Sequence, residues 1–173
     1  MTKIVGARGN IKDVDKFLKQ VRSFAHDHKI IIQAFNADLI YGEKHIISAV
    51  EHAVRAMNQK TNTTNSLEME ILLYASGERQ LKLAIPKMGV KKGKSNIVFV
   101  LISDIKDPKS RISDKTIDEL LELLSLDRDD EVIEGDENTL KKFGISENQM
   151  KTVTKAKYGD LILEKVAMVD IIK

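Results

Sequence analysis

Apolar residues at Ile11, Val14, Phe17, Leu18, Val21 and Phe24 recur at helical spacing. Asn10 stands before them as the expected N-cap, with Asp13 three residues on, where a capping-box acid would sit. On either side, TKIVGARG (2–9) and KIIIQAF (29–35) read as strands, the second β-branched and continuous as a buried strand is. Ile46, Ile47, Val50, Ala53, Val54 and Met57 then mark one face of a second helix, with Glu51 and Arg55 paired on another. A polar loop follows at 58–66. LEMEILLYAS (67–76) alternates and then runs apolar, which predicts a strand entering the middle of a sheet. Leu81, Ala84, Ile85 and Met88 fit a helix face that Pro86 should kink or end near Ile85, with Gly89 as its C-cap. NIVFVLISD (96–104) is a further buried strand, and Ser113 can cap a helix carrying Ile117, Leu120, Leu121 and Leu124. An acidic connection (125–136) leads into three short helical patterns that close the chain, the second capped by Ser146. The sum is a single α/β domain over 1–173: a small central sheet of about four strands packed with helices, and a helical C-terminal third.

The length of 173 residues, 42% of them hydrophobic, is enough for a core without covalent staples. The absence of cysteine excludes disulfides, thiolate metal sites and a Cys nucleophile. No apolar run suits a signal peptide or a membrane span, so a soluble cytoplasmic protein is expected. The net charge of +2 hides an uneven distribution. Residues 79–94 hold Arg79, Lys82, Lys87, Lys91, Lys92 and Lys94 and no acid, whereas 107–137 is strongly acidic. Such blocks are either solvated faces or a phosphate-binding surface kept apart from a negative one.

Gly93-Lys94-Ser95 imitates the end of a P-loop, but Met88 stands where the motif needs its first glycine. The context is also reversed, with a helix before the loop and a strand after it, so no helix N-terminus faces a phosphate. The histidines give no metal site. His45 and His52 share a helix face about 10 Å apart, and His26 and His28 sit at a helix end. No serine occupies a nucleophile elbow. Met57, Met69, Met88, Met150 and Met168 fall at apolar positions and are expected in the core. The pattern calls for no cofactor, metal or small-molecule substrate. One surface stands out. Tyr74 is expected at a strand end with a face for stacking a base, and Ser76 and Gly77 to expose backbone N–H groups. Arg79 and Gln80 would open a helix, and Lys87, Lys91 and Lys92 would hold phosphates beyond it. Single-stranded RNA and a plain solvated surface both fit these residues.

EILLYASGERQLKLAIPKMGV (70–90) resembles the small non-catalytic subunit of the KEOPS (EKC) complex, the PRPK-binding protein family, archaeal type. The similar pieces continue in IQAFNADLIYGEKHIISAVEHA (32–53), LKKFGISENQM (140–150) and LILEKVAMVD (161–170), in order across most of the chain. Pro86 and the lysines at 91, 92 and 94 depart from the family pattern. The resemblance implies a subunit that binds the complex's small atypical kinase/ATPase and grips the 3′ CCA end of tRNA. It implies a part in threonylcarbamoyladenosine modification without doing that chemistry. Gly77, Arg79 and Gln80 match the family's turn and take the RNA role. For the kinase contact we expect Ile162, Val166 and Val169 of the last helix and Ile47, Val50 and Val54 of the second. The alternatives are a protein-binding scaffold without an RNA site and an enzyme with a cryptic site.

Overall fold

The computed structural model describes residues 1–104 and 106–173. In chain order it places β1 (Thr2–Ile11), α1 (Val14–His28), β2 (Ile30–Asn36), α2 (Gly42–Gln59), α3 (Leu67–Ser76), α4 (Leu81–Met88), β3 (Gly93–Ser103), α5 (Asp114–Leu123), β4 (Asp127–Arg128), α6 (Glu137–Phe143), α7 (Glu147–Met150) and α8 (Tyr158–Ile172). These gather into two compact units. One joins Met1–Ala37 to Val90–Val132 and holds the sheet. The other joins Asp38–Gly89 to Ile133–Lys173 and is helical. The α/β class, the number of strands, though not the identity of all four, and the helical C-terminal third are as the sequence predicts. No described helix is long and apolar enough to cross a membrane.

The sheet is antiparallel in the order β2-β3-β1-β4. β1 and β3 pair along their whole length, from Thr2↔Ile102 to Ile11↔Gly93. Because strand side chains alternate, Val5, Ala7 and Ile11 share a face with Ile97, Phe99 and Leu101 and with Ile30, Ile32 and Ala34. Phe17, Val21 and Phe24 of α1 and Ile117, Leu120 and Leu121 of α5 complete that core. Val98 and Val100 are buried as well, which explains why β3 reads as an unbroken apolar run. Gly6 is required by packing: a Cβ there would lie 2.3 Å from the Asp129 carbonyl oxygen. Its backbone instead exchanges bonds with that segment, Gly6 N–H to Asp130 Oδ1 (2.9 Å) and Asp129 N–H to Gly6 O (2.9 Å).

Four expectations need correction. Residues 67–76 form the helix α3, not a strand. The apolar run of residues 71–75 is buried all round, and a fully buried short segment carries no period to tell helix from strand. Its ends carried the missing signal: Ser66 accepts the N–H of Met69, and Gly77 closes the helix at φ +69°. The fourth strand is instead β4, two residues of the acidic connection paired with Ala7 and Arg8. Asn10 belongs to β1, and Asp13 itself caps α1, accepting from Lys16 N–H at 3.0 Å. Finally, of the two outcomes expected at Pro86, the end near Ile85 does not occur: α4 runs to Met88. Pro86 forfeits one bond in the last turn, Ala84 and Met88 are fully buried, and Gly89 N–H donates to Ile85 O at 2.8 Å.

Candidate functional site

The turn that closes α3 is built from inside. Ser76 is buried; its hydroxyl donates to Leu73 O (2.7 Å) and accepts from Glu78 N–H (3.1 Å). Gly77 takes the left-handed conformation, where a side chain would be strained, although a Cβ would meet Phe143 and Lys165 only at the ordinary contact distance of 3.4 Å. Beneath it, His45 is completely enclosed. Its Nδ1 accepts from Tyr41 N–H (3.1 Å), its Nε2–H donates to Ala75 O (2.8 Å), and its ring stands edge-on to Phe143. Burial drives the imidazole pKa from 6.5 down to about 4, against the opposing pull of the Ala75 carbonyl and with the help of the Lys87 charge, so the ring is neutral. Lys87 lies over the Phe143 face at 4.0 Å and pairs with Glu78 at 3.2 Å. Burial lowers the pKa of this ammonium, partly offset by Glu78.

This arrangement redistributes the expected RNA residues. Arg79 and Gln80 are exposed at the start of α4. Lys91 and Lys92 are exposed too, but they belong to the sheet-bearing unit, where they lead into β3. Tyr74 has no face to offer a base, because α3 turns it inward. Its ring is fully buried beside His52, with the Lys173 ammonium over it at 4.6 Å, and its hydroxyl donates to Asp170. Burial and then Asp170 push the phenol's pKa upward. Ser76 and Lys87 are likewise committed to internal partners.

The expected kinase residues divide in the same way. Ile47 and Val54 are exposed on α2 (41% and 37%), and Val50 and Val54 line a shallow depression along that helix with Glu51, Arg55, Asn58 and Gln59. Ile162, Val166 and Val169, by contrast, are wholly buried and form the inward side of α8. What α8 presents outward is Met168, expected in the core, together with Ile171 and Ile172. Ile171 is 74% exposed, the most open large apolar residue among those described. The signal for this was present in the sequence: LILEKVAMVDII is apolar on every side, so one side must meet something other than the core. The helical phase needed to say which side was missing.

α2 and α8 run parallel. The Tyr41 ring lies against Gly159 at their starts, and a polar seam joins their ends. There Asp170 Oδ2 lies 2.7 Å from His52 Nδ1 and accepts from Arg55 at 3.3 Å. Burial alone would raise the Asp170 pKa; the Tyr74, His52 and Arg55 bonds outweigh it and hold the carboxyl below its ordinary value. Among the described residues no group of His, Asp and Glu is arranged to hold a metal. A sequence model described as "Kinase binding protein CGI-121" matches residues 9–170.

The chain belongs to the CGI-121 family. Two archaeal relatives agree with that placement. "Regulatory protein Cgi121" of Methanocaldococcus jannaschii is 29% identical over 82% of this chain and 84% of its own length. "KEOPS complex subunit Cgi121" of Pyrococcus abyssi is 32% identical over 40% of this chain and 42% of its own. The CGI-121 match covers α2 and α8 as far as Asp170, and so takes in exposed Ile47, Val54 and Met168.

Proposed function

We propose that this chain is a non-catalytic KEOPS subunit that docks the complex's small kinase/ATPase on the outward side of α8, with Ile47 and Val54 of α2 as further contacts. The observation that carries this reading is the exposure of Met168, Ile171 and Ile172 on a helix whose opposite side is fully packed. Exposed apolar groups of this kind mark surfaces that a partner covers. The membership in a kinase-binding family names the kind of partner. The subunit also recruits tRNA by its 3′ CCA end for threonylcarbamoyladenosine modification. Arg79 and Gln80 supply contacts on the helical unit, and Lys91 and Lys92 supply phosphate contacts on the other.

Titration of the purified chain with the kinase subunit tests the first part. Ile171→Glu should weaken binding at least tenfold without lowering the melting temperature; unchanged affinity would remove α8 as the docking face. Binding of tRNA with and without its 3′ CCA, at two salt concentrations, tests the second. Loss of affinity on trimming, with a salt slope that falls in Lys91→Glu/Lys92→Glu, is expected. Equal binding of both RNAs by both proteins would favour a scaffold without its own RNA site. The inward commitment of Tyr74, Ser76 and Lys87 is the feature that favours that second reading.

A further inference from the structure

The end of α8 is tied down twice. Asp170 joins Tyr74 of α3 and His52 and Arg55 of α2. Three residues on, Lys173 Nζ reaches Glu70 Oε1 of α3 at 3.0 Å. Glu70 is a completely buried carboxylate, and Lys173 is not its only partner. It also collects the N–H of Thr63 (3.1 Å), the N–H of Thr64 (2.9 Å) and the hydroxyl of Thr64 (2.8 Å). One carboxylate therefore joins the last turn of α8 to the polar loop between α2 and α3, which lies more than a hundred residues away in sequence. The two halves of this junction depend on each other. With Lys173 withdrawn, Glu70 carries an uncompensated buried charge. With Glu70 displaced, the Thr63 and Thr64 amides lose their acceptor.

The outward side of the same helical turn bears Met168, Ile171 and Ile172. Any opening of this turn takes Lys173 off Glu70. We infer that docking on the outward side of the last turn of α8 is transmitted through Lys173 and Glu70 to the 60–66 loop, which tightens when that turn is held. This coupling rests on the reading that the kinase docks on α8. It makes the loop a reporter of occupancy, placed at the C-terminal end of α2, the other helix proposed to touch the kinase.

Residue-resolved amide exchange on the full chain, free and saturated with the kinase subunit, tests it. In the wild type, docking should slow exchange at Thr63 and Thr64 by about fivefold or more, beside a slowing along α8. In Lys173→Met the slowing along α8 should persist and the slowing at Thr63 and Thr64 should vanish. Glu70→Gln cuts the same link while keeping an acceptor for the threonine amides, and serves if Lys173→Met does not fold. Loop exchange that is indifferent to docking overturns the coupling, as does an equal slowing in wild type and variant. Ile171→Glu separates the two claims. If it leaves kinase affinity intact, the docking face is wrong and the coupling falls with it. If it abolishes docking and the wild-type loop still shows no response, the coupling alone is wrong.

Discussion

A buried neutral imidazole makes a titration prediction at a single residue. The folded pKa of His45 is about 4, below its ordinary 6.5, so the unfolded chain takes up the proton first. The stability tied to His45 is therefore complete above pH 6.5 and is lost as pH falls toward 4, by up to about 3 kcal/mol. Denaturant midpoints measured between pH 7 and 4.5 should fall in the wild type and much less in His45→Gln. Glu70 and Asp170, whose carboxyls are held below their ordinary values, lose their share mainly below about pH 5 and touch only the bottom edge of this window. The Glu70–Lys173 pair gives a second test. Lys173→Met should cost about 3 kcal/mol, because it strands a buried charge. The double variant with Glu70→Gln should recover part of that loss, and a melting-temperature cycle over the four proteins reads the coupling.

At the scale of elements, α3 shows where pattern reading works and where it stops. Amphipathic helices announce themselves: α1, α2 and α5 follow from apolar spacing because each has a wet side and a dry side. α3 has little wet side. Leu72, Leu73, Tyr74 and Ala75 are all enclosed, so no 3.6-residue period survives in the sequence, and the alternation of LEME that precedes them points to the wrong element. Its caps settle the matter. Gly77→Ala should cost about 1 kcal/mol through the left-handed φ alone, seen as a lower melting temperature. The site shifts with this element. With Tyr74 placed on a strand end, its ring reads as a platform for a base; on α3 it is a buried donor to Asp170. In α8 the phase was lost for a related reason, since a helix apolar on all sides does not disclose which side is covered. Arg79 and Gln80 were legible as surface residues because both are polar and follow the turn at Gly77.

For the whole molecule, the proposed kinase and tRNA contacts fall on different residues, and their defects should separate. Ile171→Glu is expected to lower kinase affinity at least tenfold and leave tRNA binding within twofold. Lys91→Glu/Lys92→Glu is expected to do the reverse, and parallel titrations of both variants against both partners check it. A common loss in either variant would mean that the two partners share one surface. The division of the chain into two units has its own consequence. The sheet-bearing unit is assembled from Met1–Ala37 and Val90–Val132, and the helical unit from the segments between and after them. During synthesis the sheet therefore has all its strands once Val132 has left the ribosome. At that moment α2, α3 and α4 have emerged and still lack α6, α7 and α8. The nascent chain thus carries an interval with a finished sheet and unsheltered helices, and that interval is where chaperone binding to this protein would concentrate.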